Sequence, residues 1–106
     1  MATFFHNITT ILTQDLLTAG DKINSIKSIT IANVHASASA EIDLFLNKGD
    51  DNFYILKNVE IPHGMTLVLG PEDNISFDNT ASGFSLRAQI QDDSGAAVSV
   101  DIIITR

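Results

Sequence analysis

The three histidines, His6, His35 and His63, are the side chains of this sequence best suited to hold a metal ion or carry a proton. Each lies in a separate terminal or turn segment. An imidazole metal site needs several such rings to converge, and no H-x-x-x-H or other paired spacing brings two of them onto one face. They meet only if the fold or an oligomer axis gathers them, and exposed turn histidines are the plainer reading. Carboxylates occur as adjacent pairs, Asp50-Asp51, Glu72-Asp73 and Asp92-Asp93. Two such loops at one end of a sheet would offer hard oxygen ligands to Ca²⁺. Asp50-Asp51-Asn52 lacks the alternate-position spacing of a calcium loop, and solvated turn acids are the simpler reading. A glycosidase pair would need a cleft flanked by aromatic rings. The chain has no tryptophan and one tyrosine, Tyr54, which also weakens a sugar-binding reading. Nucleophilic chemistry finds no G-x-S-x-G and no cysteine. Ser82-Gly83 and Ser94-Gly95 read as turns. No G-x-x-x-x-G-K-[ST] or G-x-G-x-x-G cradles a phosphate. The expectation is a protein that is not an enzyme, with no catalytic residue, no metal ligand and no cofactor.

Composition narrows the class further. A chain of 106 residues fits one domain, large enough to bury a core without metal or crosslink. Charged residues make up 18 % of it, below the roughly 25 % of ordinary soluble domains, as expected of a small domain that covers part of its surface with a neighbour. The net charge of −7 repels phosphate backbones, so nucleic acid is not an expected partner. The six basic residues, Lys22, Lys27, Lys48, Lys57, Arg87 and Arg106, form no patch in sequence. No run approaches the roughly 18 apolar residues of a membrane span, so no membrane partner is expected either. Residues 1–6 carry neither the basic region nor the apolar stretch of a signal peptide. Export, if it occurs, is expected by another route such as lysis, and the sequons at Asn7-Ile8-Thr9 and Asn74-Ile75-Ser76 are chance matches.

The elements that would position any site are short strands. Ile42, Leu44 and Leu46 alternate with Glu41, Asp43 and Phe45. Phe84, Leu86, Ala88 and Ile90 alternate with polar residues, and so do Val98, Val100, Ile102 and Ile104, apart from Ile103. This period of two builds sheets with one buried face. Ile29 and Ile31 share a face while Ile26 is out of phase, which a bulge between Ile26 and Ile29 would explain. Phe53, Ile55, Val59 and Ile61 are expected on one face with Lys57 between them. Turn signals stand at 18–21, 47–52, 62–64, 70–74, 78–83 and 92–95. Their spacing predicts an all-β fold, an antiparallel sandwich or jelly roll of about seven to eight strands. Residues 1–15 are read as an N-terminal arm and 16–106 as the β-sandwich domain. In the arm, Ile8, Ile11, Leu12 and Leu16 have helical spacing between a cap at Asn7 and a stop at Gly20. The β-branched Thr9, Thr10, Ile11 and Thr13 favour an extended arm or edge strand instead.

One long stretch is similar to a known pattern. Leu16-Leu17-Thr18-Ala19-Gly20-Asp21-Lys22-Ile23, then Ser25-Ile26-Lys27-Ser28-Ile29-Thr30-Ile31-Ala32-Asn33, resembles a "tagk" turn leading into "v-k-s-I-t-v-a-N". A small-residue segment follows, Ala36-Ser37-Ala38-Ser39-Ala40, then the strand Glu41–Leu46. Phe53 to Leu67 matches "y-y-i-l-k-n-v-x-I-P-x-G-x-t-l", and Val98–Ile104 supplies a closing strand of alternating valines and isoleucines. The pattern belongs to small β-sandwich virion structural proteins of tailed bacteriophages, of the capsid decoration, neck or tail accessory type, and it spans residues 16–104 in order. The sequence departs from it at Gly70-Pro71-Glu72-Asp73-Asn74-Ile75, where members carry "L-x-a-G-D-x-i".

The resemblance implies a structural role without catalytic residues. The expected function is a capsid decoration (cement) protein of the virion, assembled in the host cytoplasm. It would bridge neighbouring capsid subunits, as a homotrimer on a local symmetry axis. Its expected partners are itself and the major capsid protein or another virion protein. A neck, tail or baseplate protein and a host-surface glycan-binding module are the alternatives. Phe4, Phe5, Ile8, Ile11 and Leu12 are the candidate assembly residues, chosen as apolar side chains near a terminus. An arm can add a strand to a neighbour's open sheet edge, or it can fold onto its own domain. The sequence leaves both open.

Overall fold

The computed structural model of the chain describes residues 3–9, 13–23, 25–70, 75–91 and 98–106. They form ten strands and no helix: β1 (Thr3–Ile8), β2 (Thr13–Leu17), β3 (Ser25–Ile26), β4 (Ser28–Asn33), β5 (Ala40–Lys48), β6 (Asp51–Ile61), β7 (Thr66–Leu69), β8 (Ile75–Ser76), β9 (Ser85–Gln91) and β10 (Val100–Thr105). Two four-stranded sheets dominate. The first has the order β1-β10-β4-β7, the second β2-β9-β5-β6, and β3 and β8 make a two-residue pair beside them. Every pairing is antiparallel.

The period-two pattern decides which face each strand buries. Val100, Ile102 and Ile104 of β10 face Ile29 and Ile31 of β4, and Leu86, Ala88 and Ile90 of β9 face Ile42 and Leu44 of β5. All of these are fully enclosed in one core drawn from both sheets. Each buried Ile, Leu or Val is worth about 1.5–3 kcal/mol relative to exposure, so a one-residue slip of any central strand would be strongly disfavoured.

The phase break near Ile26 is resolved at Lys27. The chain bends there, and the Lys27 N–H donates to the Thr105 carbonyl at 2.8 Å. The bend lets β3 leave for β8 while β4 pairs with β10 and β7, so Ile26 and Ile29 are both buried. The 53–61 segment differs from the expected single face. Two register shifts lie between β5 and β6, and Asn58 adopts a left-handed φ of 55°. The residues opposite inward-facing Ala40, Ile42, Leu44 and Leu46 are Ile61, Val59, Leu56 and Phe53. Leu56 therefore takes a place in the row, and Lys57 and Asn58 bulge out opposite Asp43. Asparagine tolerates this backbone better than a branched residue would.

The N-terminal residues 3–8 and 13–17 are strand rather than helix. β1 lies along β10 of the same chain, with Phe4 opposite Ile104 and Ile8 opposite Val100. β2 lies along β9 in the second sheet, and a register shift between Asp15 and Leu17 turns both Leu16 and Leu17 inward.

Candidate assembly surface

Three of the five candidate assembly residues are described. Ile8 is 2 % exposed and belongs to the chain's own core, and Phe4 is partly buried against that core. Phe5 points the other way and is 71 % exposed. Adjacent strand residues face opposite sides, so Phe4 holds β1 to its own domain while Phe5 is presented outward. Ile11 and Leu12 lie outside the described residues.

Phe5 does not stand by itself. The registers β1–β10, β10–β4 and β4–β7 put Phe5 opposite Ile103, Ile103 opposite Thr30 and Thr30 opposite Val68. These four residues form a straight row across the outer face of the first sheet. Val68 is 59 % and Ile103 36 % exposed. On one side of the row lie Asn7, Asp101, Ala32 and Thr66, and on the other Thr105 and Ser28. Among the described residues of this row and its two flanks Asp101 alone is charged, and its carboxylate accepts a hydrogen bond from the Asn7 amide at 2.5 Å. A shallow cleft of about 370 Å³ opens at the β1 edge, lined by Phe5, His6, Asn7 and residues 101–103.

The outer face of the second sheet is built differently. Phe45 is buried there beneath the Tyr54 ring, centroids 5.2 Å apart. Lys57 lies over the same ring at 4.4 Å and 3.4 Å from the Asp43 carboxylate. Partial burial works against the Lys57 charge, yet the Asp43 carboxylate, helped by Tyr54, holds its pKa above the usual lysine value. Asp43 also accepts the Asn58 N–H at 2.7 Å, and Arg87 is paired to Asp15. Two opposed pairs are thus matched on this face, while Glu41 stands opposite Glu60. At the end of the same sheet Phe53 meets Phe84 edge-on at 5.8 Å, with Lys48 at 5.4 Å from the Phe84 ring.

The histidines take local structural parts. His6 spans the two sheets, its Nε2 at 3.0 Å from the Leu16 carbonyl of β2 and its Nδ1 at 3.3 Å from the Gln14 amide. The His35 Nδ1 accepts the backbone N–H of Ser37 and of Ala38 at 3.1 and 3.0 Å. His63 is exposed in the turn after β6. Among the described residues no three His, Asp or Glu side chains are grouped to hold a metal ion. The pairs Glu72-Asp73 and Asp92-Asp93 lie outside those residues.

Two buried asparagines do what sequence reasoning did not assign to them. Asn33, at the end of β4, donates from its amide to the carbonyls of Ala38 and Ile61, each at 2.9 Å, and accepts the His35 N–H at 3.0 Å. Its backbone is paired to Met65 and Gly64. Asn79 accepts the Ile23 N–H at 2.9 Å and donates to Thr18 at 3.1 Å and Phe84 at 2.8 Å. Each asparagine fastens several turns at one point, because an amide carries both donors and an acceptor. Polar residues flanked by turn signals read as loop in sequence, and nothing in the pattern separates a buried hub from a solvated one. No protein-family model matches the chain, and no curated protein sequence matches it.

Proposed function

We propose that the chain is a non-enzymatic structural protein of a tailed-phage virion, a capsid decoration protein that bridges and stabilises neighbouring capsid subunits on a β-sandwich scaffold. The sequence resemblance over residues 16–104 suggests this reading. The observation that carries it is where the two most distinctive stretches of that pattern meet. Asn33, which ends the "s-I-t-v-a-N" stretch, donates to the carbonyl of Ile61 and accepts the N–H of Gly64 on its backbone carbonyl. Those two residues flank Pro62 in the "I-P-x-G" stretch. The pattern thus selects residues that hold one another in place, as expected of a motif conferring architecture rather than chemistry.

An adhesive role suits the exposed surface. Phe5, Ile103 and Val68 offer apolar area on a face with few charges among the described residues, and β1 and β7 are the outermost strands of the first sheet, where a neighbour could add a strand. A contact that is weak per copy becomes firm when a repeating shell engages many copies at once. Electron microscopy of particles assembled with and without this protein tests the proposal. Loss of surface protrusions and rupture at lower temperature without it are expected. An unchanged shell lacking a neck or tail part would overturn the decoration reading in favour of that site.

A further inference from the structure

We propose that His35 is a proton-operated latch on the connection between the two sheets: its neutral ring holds the bend at Ala36 and Ser37, and uptake of one proton releases it. The inference stands apart from the virion reading and holds for the free protein.

Residues 34–39 carry the chain from β4 in the first sheet to β5 in the second. Two sets of bonds shape this connection. One set comes from groups that do not titrate. Asn33 binds the His35 N–H and the Ala38 carbonyl, and the Val34 N–H donates to the Ser99 carbonyl at 3.0 Å. The other set belongs to the His35 ring, whose Nδ1 accepts the N–H groups of Ser37 and Ala38 at 3.1 and 3.0 Å. A backbone N–H only donates, so Nδ1 must offer its lone pair and the ring proton must sit on Nε2. Protonation puts a third donor where two donors already converge. Both bonds are then lost, and turning the ring over brings a carbon, not an acceptor, to the same place.

The other two histidines lack this constraint. The His6 Nε2 donates to the Leu16 carbonyl in either charge state, and its Nδ1 meets the Gln14 amide, which can turn its oxygen toward a protonated ring. His63 is exposed in the turn after β6. The segments that meet the connection carry Glu41 on β5, Asp101 on β10, Glu60 on β6 and His63. Among the described residues none of these forms a hydrogen bond or ion pair with the His35 ring, and Asp92 and Asp93 lie outside those residues. Imidazole exchanges its proton between about pH 8 and 5. Only the open connection accommodates that proton, so the latch is closed at the upper end of the range and opens as pH falls.

Amide exchange of the intact chain, followed by NMR as protection factors, tests this. One proton bound by the open form alone lowers the protection of Ser37 and Ala38 about tenfold between pH 7.5 and 5.5, while Thr30 and Ile31 of β4 keep theirs. His35→Asn puts a non-titrating amide oxygen near the place of Nδ1, as in an Asx turn, and is expected to retain protection at both pH values. His35→Ala is expected to lack it at both. Nitrogen shifts of the wild-type ring should show the neutral tautomer with its proton on Nε2. Wild-type protection independent of pH, or a loss at low pH that persists in His35→Asn, would overturn the proposal. So would a loss shared by β4, or a neutral ring with its proton on Nδ1.

Discussion

Replacing Asn79 by alanine removes at least three hydrogen bonds from a fully buried position. The Thr18 and Phe84 carbonyls lose a donor, and the Ile23 N–H loses its acceptor inside the core. Each net bond contributes about 1 kcal/mol, and an unsatisfied buried N–H adds about 1–3 kcal/mol, so Asn79→Ala is expected to cost about 4–6 kcal/mol. A domain of this size has about 5–15 kcal/mol to lose, and the variant should melt at least about 15 °C lower. Asn79→Asp separates hydrogen bonding from packing, because it keeps shape and acceptor but aims a carboxylate oxygen at the Thr18 and Phe84 carbonyls. Burial and the two facing carbonyls disfavour the charged form, so its folded pKa is expected above the unfolded value of about 3.9. Its penalty is then full above the folded pKa and shrinks as pH falls toward the unfolded one. Guanidinium unfolding followed by circular dichroism, at neutral and mildly acidic pH and always relative to wild type, measures both effects. A loss under about 1 kcal/mol for Asn79→Ala, or an Asn79→Asp penalty independent of pH, would refute the hub.

Gly83 is closed to any side chain: a Cβ there would stand 2.2 Å from the Asp78 carbonyl oxygen. Gly83→Ala should cost about 1–3 kcal/mol by overpacking, read as a shift in the guanidinium midpoint. Asp78 has its pKa lowered from 3.8 by the hydroxyl and N–H of Thr80. Its contribution is complete above the unfolded carboxylate pKa and lost as pH falls through the lower folded one. The acid-side fall in melting temperature should accordingly be smaller in Thr80→Val. Asp43→Ala strands the Asn58 N–H that Asp43 now accepts, at about 1.5–3 kcal/mol for a bond to a charged group. Lys57→Met, half exposed, should lower the melting temperature far less. His35→Ala should speed amide exchange at Ser37 and Ala38, the two N–H groups its ring accepts, while β4 stays protected.

The strands were legible where one face is buried and the other wet. Val100, Ile102 and Ile104, and likewise Leu86, Ala88 and Ile90, sit in the core as their spacing requires. The pattern failed where the backbone departs from a flat ladder. The left-handed Asn58 resets the phase of β6, and neither Leu56 nor Val59 announces it. The N-terminal residues were ambiguous because their apolar spacing suits two periods, and for residues 3–8 and 13–17 pairing with β10 and β9 decides between them. Phe5 was legible only as one of five apolar candidates near the terminus, without its exposure. The row it joins was not, since Ile103, Thr30 and Val68 come from strands far apart in sequence and only register aligns them. The asparagine hubs were invisible for a different reason: burial of a polar side chain depends on which turns converge on it, and that is a tertiary property.

The proposed role is adhesion in a virion shell rather than turnover of a substrate. Quantitative mass spectrometry of purified, washed particles tests this most directly. The account predicts this chain in hundreds of copies, in fixed ratio to the major shell protein. A chain absent from particles, or present in a dozen copies or fewer, would contradict it.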